Sequence, residues 1–578
     1  MAAKRATTQT RPPHRNPSGR SLRGRIAALH RFVWHQPGSA AAPCAASRAV
    51  TVAPMKYMPA HPGPSPFFDV GRWLTGAIVA LLLFRLWFAI ALPMTGDEAY
   101  FIVWGLHPAG GYYDHPPMVG WWLTALLAIG RSAWWLRLPA VMLPFLLAWG
   151  MWWLVRQAGE KVGGGEGGDE RALFAALLTL LLPANVWNVL ITTDTPVVFF
   201  CFLSVLAYVR GQRDVSPGWH LLAGLLLGMG FLGKYFAALL GLAFAAHVVF
   251  VRRDRGRWLQ LSLLTAAALV GPAYNLWWNS SHCWSNILFN FINRTEDAGF
   301  SWRNPLSFFV SLAYLATPWV LWAMWRGRAT VVAANNATVR AAGWLAGVPL
   351  LGFLLLSFGK PVGLHWLLAF VPLLVVPVAV VLPLPVLHTV VRWLAAFAVL
   401  HMIAVLIFLN LPLSLWKDSS LHAGMVFTIR ADVIERQLRE PVARCGEGCV
   451  MAMESYSSAA TLAYALDRPV VVFGDGSFHG RQDDFDTDFR ALDGRDFLLL
   501  RKETVRLESY APFFERVDVS SFEIDGVLFH TVHGQGFKYP VYHERMLTRV
   551  RDRYYRMPEW LPARGCAFTE RYFSGEAR

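Results

Sequence analysis

Charge is what this sequence has least of. Only 16% of its 578 residues are Asp, Glu, Lys or Arg, while 55% are hydrophobic. With a mean hydropathy of +0.37, that balance excludes an ordinary soluble enzyme and fits a polytopic membrane protein with a polar portion attached. Acid is absent altogether before Asp69, whereas residues 1–66 hold ten Lys or Arg among Pro, Ser and Ala. A segment of that kind reads as a disordered basic arm, taken as 1–70, on the cytoplasmic side. It has no apolar stretch of its own, which argues against a secretory signal peptide, and Met55 and Met58 are alternative starts.

Cysteine is sparse as well, with six in the chain. Cys201 lies in an apolar run and reads as a small core residue. Cys445 and Cys449 in "CGEGC", with Cys566, include a disulfide if that region faces an oxidising space. No nearby His or Cys pair completes a tetrahedral metal set. A nucleotide-binding glycine motif is missing, and "FGDGSFHG" reads as a loop. The net charge of +15 is assigned to cytoplasmic loops rather than to nucleic-acid binding.

What the chain does have is apolar runs, near 73–93, 136–155, 171–191, 195–209, 219–233, 235–251, 258–278, 305–325, 341–358, 366–387 and 393–413. They predict about 11 transmembrane helices, although several fall short of the roughly 20 residues a straight span needs. The pair 219–233 and 235–251 reads as a shallow hairpin, and 117–130 as a helix lying in the interface. With the basic N-terminus inside, the loops 156–171, 210–218, 252–257, 326–340 and 388–392 fall in the cytoplasm, most with Arg or Lys at their edges. The outer side receives 94–135, 192–194, Lys234, 279–304, 359–365 and everything after about 414. The expected fold is therefore an α-helical polytopic membrane domain over 71–415 and a small α/β domain over 416–578 outside. In the latter, "VMAME", "PVVVFG", "DFLLLRKE" and "FEIDGVLFHTV" read as strands, and "VYHERMLTRVRDRYYRM" as a final helix.

The polar clusters gather on the outer side, which suggests one site there. Asp97 and Glu98 open the first outer loop. Helix capping explains one acid easily and two less well, so a general base is the functional reading. Asp114-His115-Pro116-Pro117 leaves three readings open: an N-cap, a phosphate contact, or a divalent metal site completed by His282 or His365. Asp194 in "TTDTP" has an N-cap signature. Lys234 sits between two apolar runs, where a lysine needs a partner, and suits a phosphate as a point charge. Lys360, Arg294 and Arg303 are further phosphate candidates. The aromatic residues Tyr100, Tyr112, Tyr113 and Trp366 suit stacking on sugars.

Together these residues describe transfer from a lipid-linked phosphate: a carboxylate deprotonates an acceptor hydroxyl, and cations stabilise the departing phosphate. A transporter or flippase of lipid-linked substrates is the alternative. It should place charge near the midplane and show repeated halves, and no repeat is found.

The segments "GDEAYFIVW", "YYDHPPMVGWW", "RLPAVML", "TTDTPVVFF", "GMGFLGKYFA" and "GKPVGLHW" resemble the membrane glycosyltransferases of the GT-C fold. The likeness is to glycosyltransferase family 39, the protein-mannosyltransferase-like family related to the lipid A aminoarabinose transferase. It covers roughly 70–380. It implies an inverting enzyme of the bacterial inner membrane, with site and C-terminal domain on the periplasmic side. The implied donor is a polyprenyl-phosphate sugar. The acceptor is lipid A, a cell-envelope glycan or a protein. The family's essential acid falls on Asp97, with Glu98 beside it. Its acidic-then-basic motif falls on Asp114 and His115, and its later acid and lysine on Asp194 and Lys234. The motif "GKPVGLHW" adds Lys360 and His365 to the binding residues. No cofactor is implied with certainty, and a divalent metal is possible.

Overall fold

The computed structural model describes residues 69–159, 168–295, 299–333, 335–474, 481–562 and 564–574. The basic arm, most of "GEKVGGGEGGDER", the end of "FGDGSFHG" and the side chain of Arg294 lie outside the described residues.

The first long helix, α1 (Val70–Ala91), begins where Asp69 Oδ1 accepts the N–H groups of Gly71 and Arg72. Its 22 residues rise about 33 Å, enough to cross a hydrocarbon core of about 30 Å. Among the described residues, six helices are long and apolar enough to cross a membrane: Val70–Ala91, Ala133–Ala158, Asp194–Asp214, Arg257–Asn279, Ala337–Ser357 and Leu384–Asn410. A seventh span is formed if Arg303–Ala316 and Pro318–Ala333 act together, but they bend by 92° at their junction. Thr317 stands there with φ +65° and Pro318 opens the second arm, so the run 305–325 is not a straight span.

The eleven apolar runs thus do not give eleven spanning helices. Pro217–Gly233, Tyr235–Phe250 and Val371–Val381 are shorter, and Pro183 ends the helix that starts at Gly168. Apolar composition sets which segments are buried, while proline and Lys234 decide where the helices break. Close packing uses glycine: a Cβ on Gly224 would lie 2.1 Å from the Leu264 carbonyl oxygen, and one on Gly271 2.3 Å from that of Gly228. The helices Pro217–Gly233 and Arg257–Asn279 therefore touch backbone to backbone.

Beyond Asn410 a five-stranded sheet appears, with β1 (Val450–Met453), β2 (Val471–Val472), β3 (Phe497–Arg501), β4 (Arg516–Ile524) and β5 (Val527–Gln535) in the order β2-β1-β3-β5-β4. The β2, β1 and β3 strands run parallel, and β5 and β4 add to β3 antiparallel. The stretch "FEIDGVLFHTV" is not one strand but a hairpin. Asp525 and Gly526 both take positive φ, at 48° and 81°, the backbone a two-residue primed turn requires. The final helical stretch is broken into Tyr539–Tyr542, His543–Leu547 and Thr548–Tyr554.

The described residues form one compact unit. Helix α2 (Gly96–Leu106) packs on the helix Tyr456–Leu466, where the rings of Tyr100 and Tyr456 lie 4.6 Å apart. Cys445 and Cys449 form a disulfide. Cys566 pairs instead with Cys283, 283 residues away in sequence, because a β-bridge between His282 and Cys566 brings the two backbones together. Cys201 is free and buried.

Candidate active site

Helix α2 places the two adjacent acids in opposite environments. Thr95 is its N-cap and Glu98 its third residue, and the two form a capping box. The Glu98 carboxylate also accepts from Arg137 Nε at 2.8 Å and Nη2 at 2.7 Å, and from the Ile191 N–H at 3.1 Å. Both side chains are wholly buried. Arg137 donates further to the carbonyls of Ala89, Leu92 and Pro93. Glu98 is thus a buried lock between the end of α1, α2 and the segment before Asp194.

Asp97, one residue earlier, points away from that lock and is exposed. Its carboxyl is held above the ordinary value, first by the protein bulk that partly desolvates it, then by the nearby charge of Asp114, with Glu98 adding to this. His115 and Lys234 pull the other way.

Asp114 and His115 are half-buried, with His115 Nδ1 3.1 Å from Asp114 Oδ2. Their turn is held from outside the loop. Asn286 Nδ2 donates to the carbonyls of Tyr112 and His115, and Asn290 Nδ2 to that of Asp114. Pro117 is the N-cap of α3 (Met118–Leu127), so Asp114 caps nothing there. Asp114 Oδ1 is buried without a hydrogen-bond partner, and a substrate or ion could satisfy it. Among the described residues, however, no group of three or more His, Cys, Asp or Glu is arranged to hold a metal ion. His282 instead stacks on Trp278 at 4.2 Å and bonds its carbonyl. The residues present do not fit a metal centre, and none enters the chemistry below.

Asp194 is the first residue of its helix, after Thr193 as N-cap, and no side-chain cap bond forms there. Its carboxylate accepts from Lys234 Nζ at 3.0 and 3.1 Å. His365 Nε2 approaches to 3.9 Å, with its side chain half exposed. Lys234 occupies an extended break (φ −166°) between two helices and lies 5.6 Å over the Phe236 ring. Lys360 is half-buried on the same outer segment as His365. Arg303 is exposed at the start of its helix. A crevice lined by Asp194, Arg85, Asn188, Leu143, Leu147 and Val371 runs from this pair among apolar side chains. Arg85 is fully buried and ties helix ends together through the carbonyls of Ala140, Val141, Asn185 and Asn188.

The three tyrosines are buried in the protein. Tyr112 stacks on Trp104 at 4.3 Å and donates to its carbonyl. Tyr113 is buried against Phe289 and Tyr555, and its N–H donates to Gln482 Oε1. Tyr100 accepts the Gln482 N–H at its hydroxyl. All three are scaffold side chains; stacking propensity and core propensity look alike in a sequence. Trp366 packs on Phe236 at 4.3 Å.

Arg85, Arg137, Asn286, Asn290 and Gln482 carry the support and were not singled out as such by sequence. Arg137 opens "RLPAVML" and Arg85 is the one charge in an apolar run, a signal of interior pairing. Tyr235 joins the halves: its hydroxyl bonds Asn275 and Asn286, the latter holding the 112–115 turn.

Residues 114–278 match the dolichyl-phosphate-mannose-protein mannosyltransferase family. The match takes in Asp114, His115, Asp194 and Lys234, and Asp97 precedes it. The chain is also 28% identical over 270 residues to the lipid A galacturonosyltransferase RgtD of Rhizobium johnstonii, spanning 43% of this chain and 55%, about half, of that protein. Two crystal structures of ArnT from Cupriavidus metallidurans share the fold. The form bound to undecaprenyl phosphate superposes with a TM-score of 0.57 at 15% identity, covering 80% of this chain and 98% of that one. The apo form gives 0.53 at 16% with the same coverage. The multi-helix architecture is therefore the fold seen in ArnT.

Proposed function

We propose that the chain is an inverting glycosyltransferase that moves a sugar from a polyprenyl-phosphate donor to an acceptor on the periplasmic face of a bacterial inner membrane. The observation that carries this is the separation of Asp97 from Glu98: one acid is locked away, and the other is exposed, with the charges of Asp114, His115 and Lys234 acting on it. Lipid A is the acceptor class favoured by the relative RgtD, and a lipid phosphate donor by the ligand of ArnT.

In the reaction, Asp97 takes the proton of an acceptor hydroxyl as its oxygen attacks the anomeric carbon. The bond from that carbon to the phosphate oxygen breaks, and its electron pair leaves with the phosphate. His115 and Lys234 offset the charge that develops there. The lipid tail packs on the apolar helix surfaces, and its phosphate end reaches the apolar crevice that ends at Asp194. Asp194 fixes the Lys234 ammonium, and Asn286 and Asn290 fix the turn that carries His115. Products are the glycosylated acceptor and the polyprenyl phosphate. The test is release of polyprenyl phosphate by the purified protein from polyprenyl-phosphate sugars with lipid A as acceptor. Saturable, acceptor-dependent release supports the proposal. No release with any such donor contradicts it.

A further inference from the structure

A second polar cavity, of about 530 Å³, lies in the C-terminal α/β region. Its walls begin where the parallel strands end. Glu454 follows β1, Phe473 and Gly474 follow β2, and Arg501 closes β3. The order β2-β1-β3 means the chain leaves β1 to build one side and then returns to build the other. The strand ends on either side of β1 are thus a topological switch point, where connections diverge and leave a crevice beyond the carboxyl ends.

The lining of this crevice is cationic. Arg501, Arg506, Arg545 and Arg549 line it, against two acids, Glu454 and Glu508. Glu454 is already engaged, by Arg501 and by the Tyr510 hydroxyl, and Tyr510 also accepts from Arg501 Nη1 at 2.8 Å. Arg501 Nε is buried with no hydrogen-bond partner, so the side chain that closes β3 keeps an unsatisfied donor at the wall of the crevice. Arg506, Arg545 and Arg549 are exposed and come from two other segments of the chain. Planar guanidinium forks from three segments around one crevice match the oxygens of a phosphate better than a single carboxylate. The volume exceeds that of a phosphate ion and leaves room for a sugar.

The place of the cavity relative to Asp97 is set by the chain. Three residues beyond Glu454, Ser457 packs on Gly96, its Cβ 3.0 Å from where a Cβ on Gly96 would stand. Tyr456 lies between, against Tyr100. Gly96 directly precedes Asp97.

We propose that this arginine-lined cavity binds a phosphate monoester carried on a saccharide, and so holds a phosphorylated glycan acceptor for the active site. The acceptor role rests on the glycosyltransferase reading, while binding itself does not. The experiment titrates the full-length protein in detergent with glucose 1-phosphate, inorganic phosphate and glucose, by calorimetry. The comparison is with Arg545→Ala/Arg549→Ala, whose changed side chains are exposed. The expected result is saturable binding of glucose 1-phosphate, weaker binding of phosphate, none of glucose, and at least tenfold weaker binding in the double variant with an unchanged melting temperature. Equal binding of phosphate and glucose 1-phosphate would overturn the saccharide assignment, and equal binding by variant and wild type would overturn the site. In transfer assays, the double variant should raise KM for a phosphorylated acceptor and leave kcat in place. An unchanged KM would remove the acceptor role with the enzyme reading intact. Absence of transfer in the wild type would remove the enzyme reading with the binding result intact.

Discussion

Replacing Glu98 by Ala should unfold the site rather than stop its chemistry. The carboxylate accepts from two Arg137 nitrogens, the Ile191 N–H, and the Thr95 N–H and hydroxyl. Its loss leaves a guanidinium in a position of zero exposure without its counter-charge. Breaking a buried ion pair by removing one partner costs about 3–5 kcal/mol. The capping box goes with it, for about 1 kcal/mol more. Glu98→Gln keeps acceptor and shape and should cost about 1–3 kcal/mol. The Glu98→Ala/Arg137→Ala double variant removes the stranded charge as well, so its loss should be smaller than the sum of the singles. The assay is the melting temperature in detergent, read beside transfer activity. Glu98→Ala should melt well below wild type and lose activity in step with folded protein. A Glu98→Ala protein that melts like wild type while its kcat collapses would refute the structural assignment and return Glu98 to the reaction.

Three further outcomes are expected. The acid limb of the pH–rate profile follows ionisation of Asp97: the raised carboxyl must lose its proton to act as base, so activity rises with pH through it. Asp114→Asn removes the charge that raises it, and the limb should move to lower pH; a limb that stays fixed would detach Asp97 from the profile. Cys283→Ser/Cys566→Ser opens the link between the outer loop and the C-terminal segment and should cost about 2–5 kcal/mol, seen as a lower melting temperature, while a melt unchanged from wild type would contradict it. Lys234→Ala should strand the buried Asp194 carboxylate and reduce both donor binding and kcat in steady-state kinetics, and wild-type values of both would contradict its role.

The membrane architecture was readable because apolar runs are long-range, redundant signals, yet their number overstated the spanning helices. Thr317–Pro318 and Lys234 break helices inside apolar composition, which no hydropathy average records. In the sheet, the Asp525-Gly526 pair turns the chain back into a hairpin, which alternation of apolar residues through "FEIDGVLFHTV" does not mark. At the site, the cluster on the outer side was legible from the cost of charge near hydrocarbon. Which of two adjacent acids meets solvent was not, because that depends on the buried Arg137, forty residues on. Tyr112 and Tyr113 show the same limit: only packing tells a ring that stacks on substrate from one that stacks on Trp104 or lies against Phe289. Likewise the Cys566 partner came from a backbone bridge that spacing does not reveal.

The central claim is that Asp97 is the base of a transfer from a lipid phosphate. It is tested most directly by Asp97→Asn, with release of polyprenyl phosphate measured from a polyprenyl-phosphate sugar in the presence of acceptor. Removing a general base should lower the rate by about 10²–10⁴-fold, with the melting temperature and donor binding retained. A variant that is folded and transfers at the wild-type rate would contradict the account.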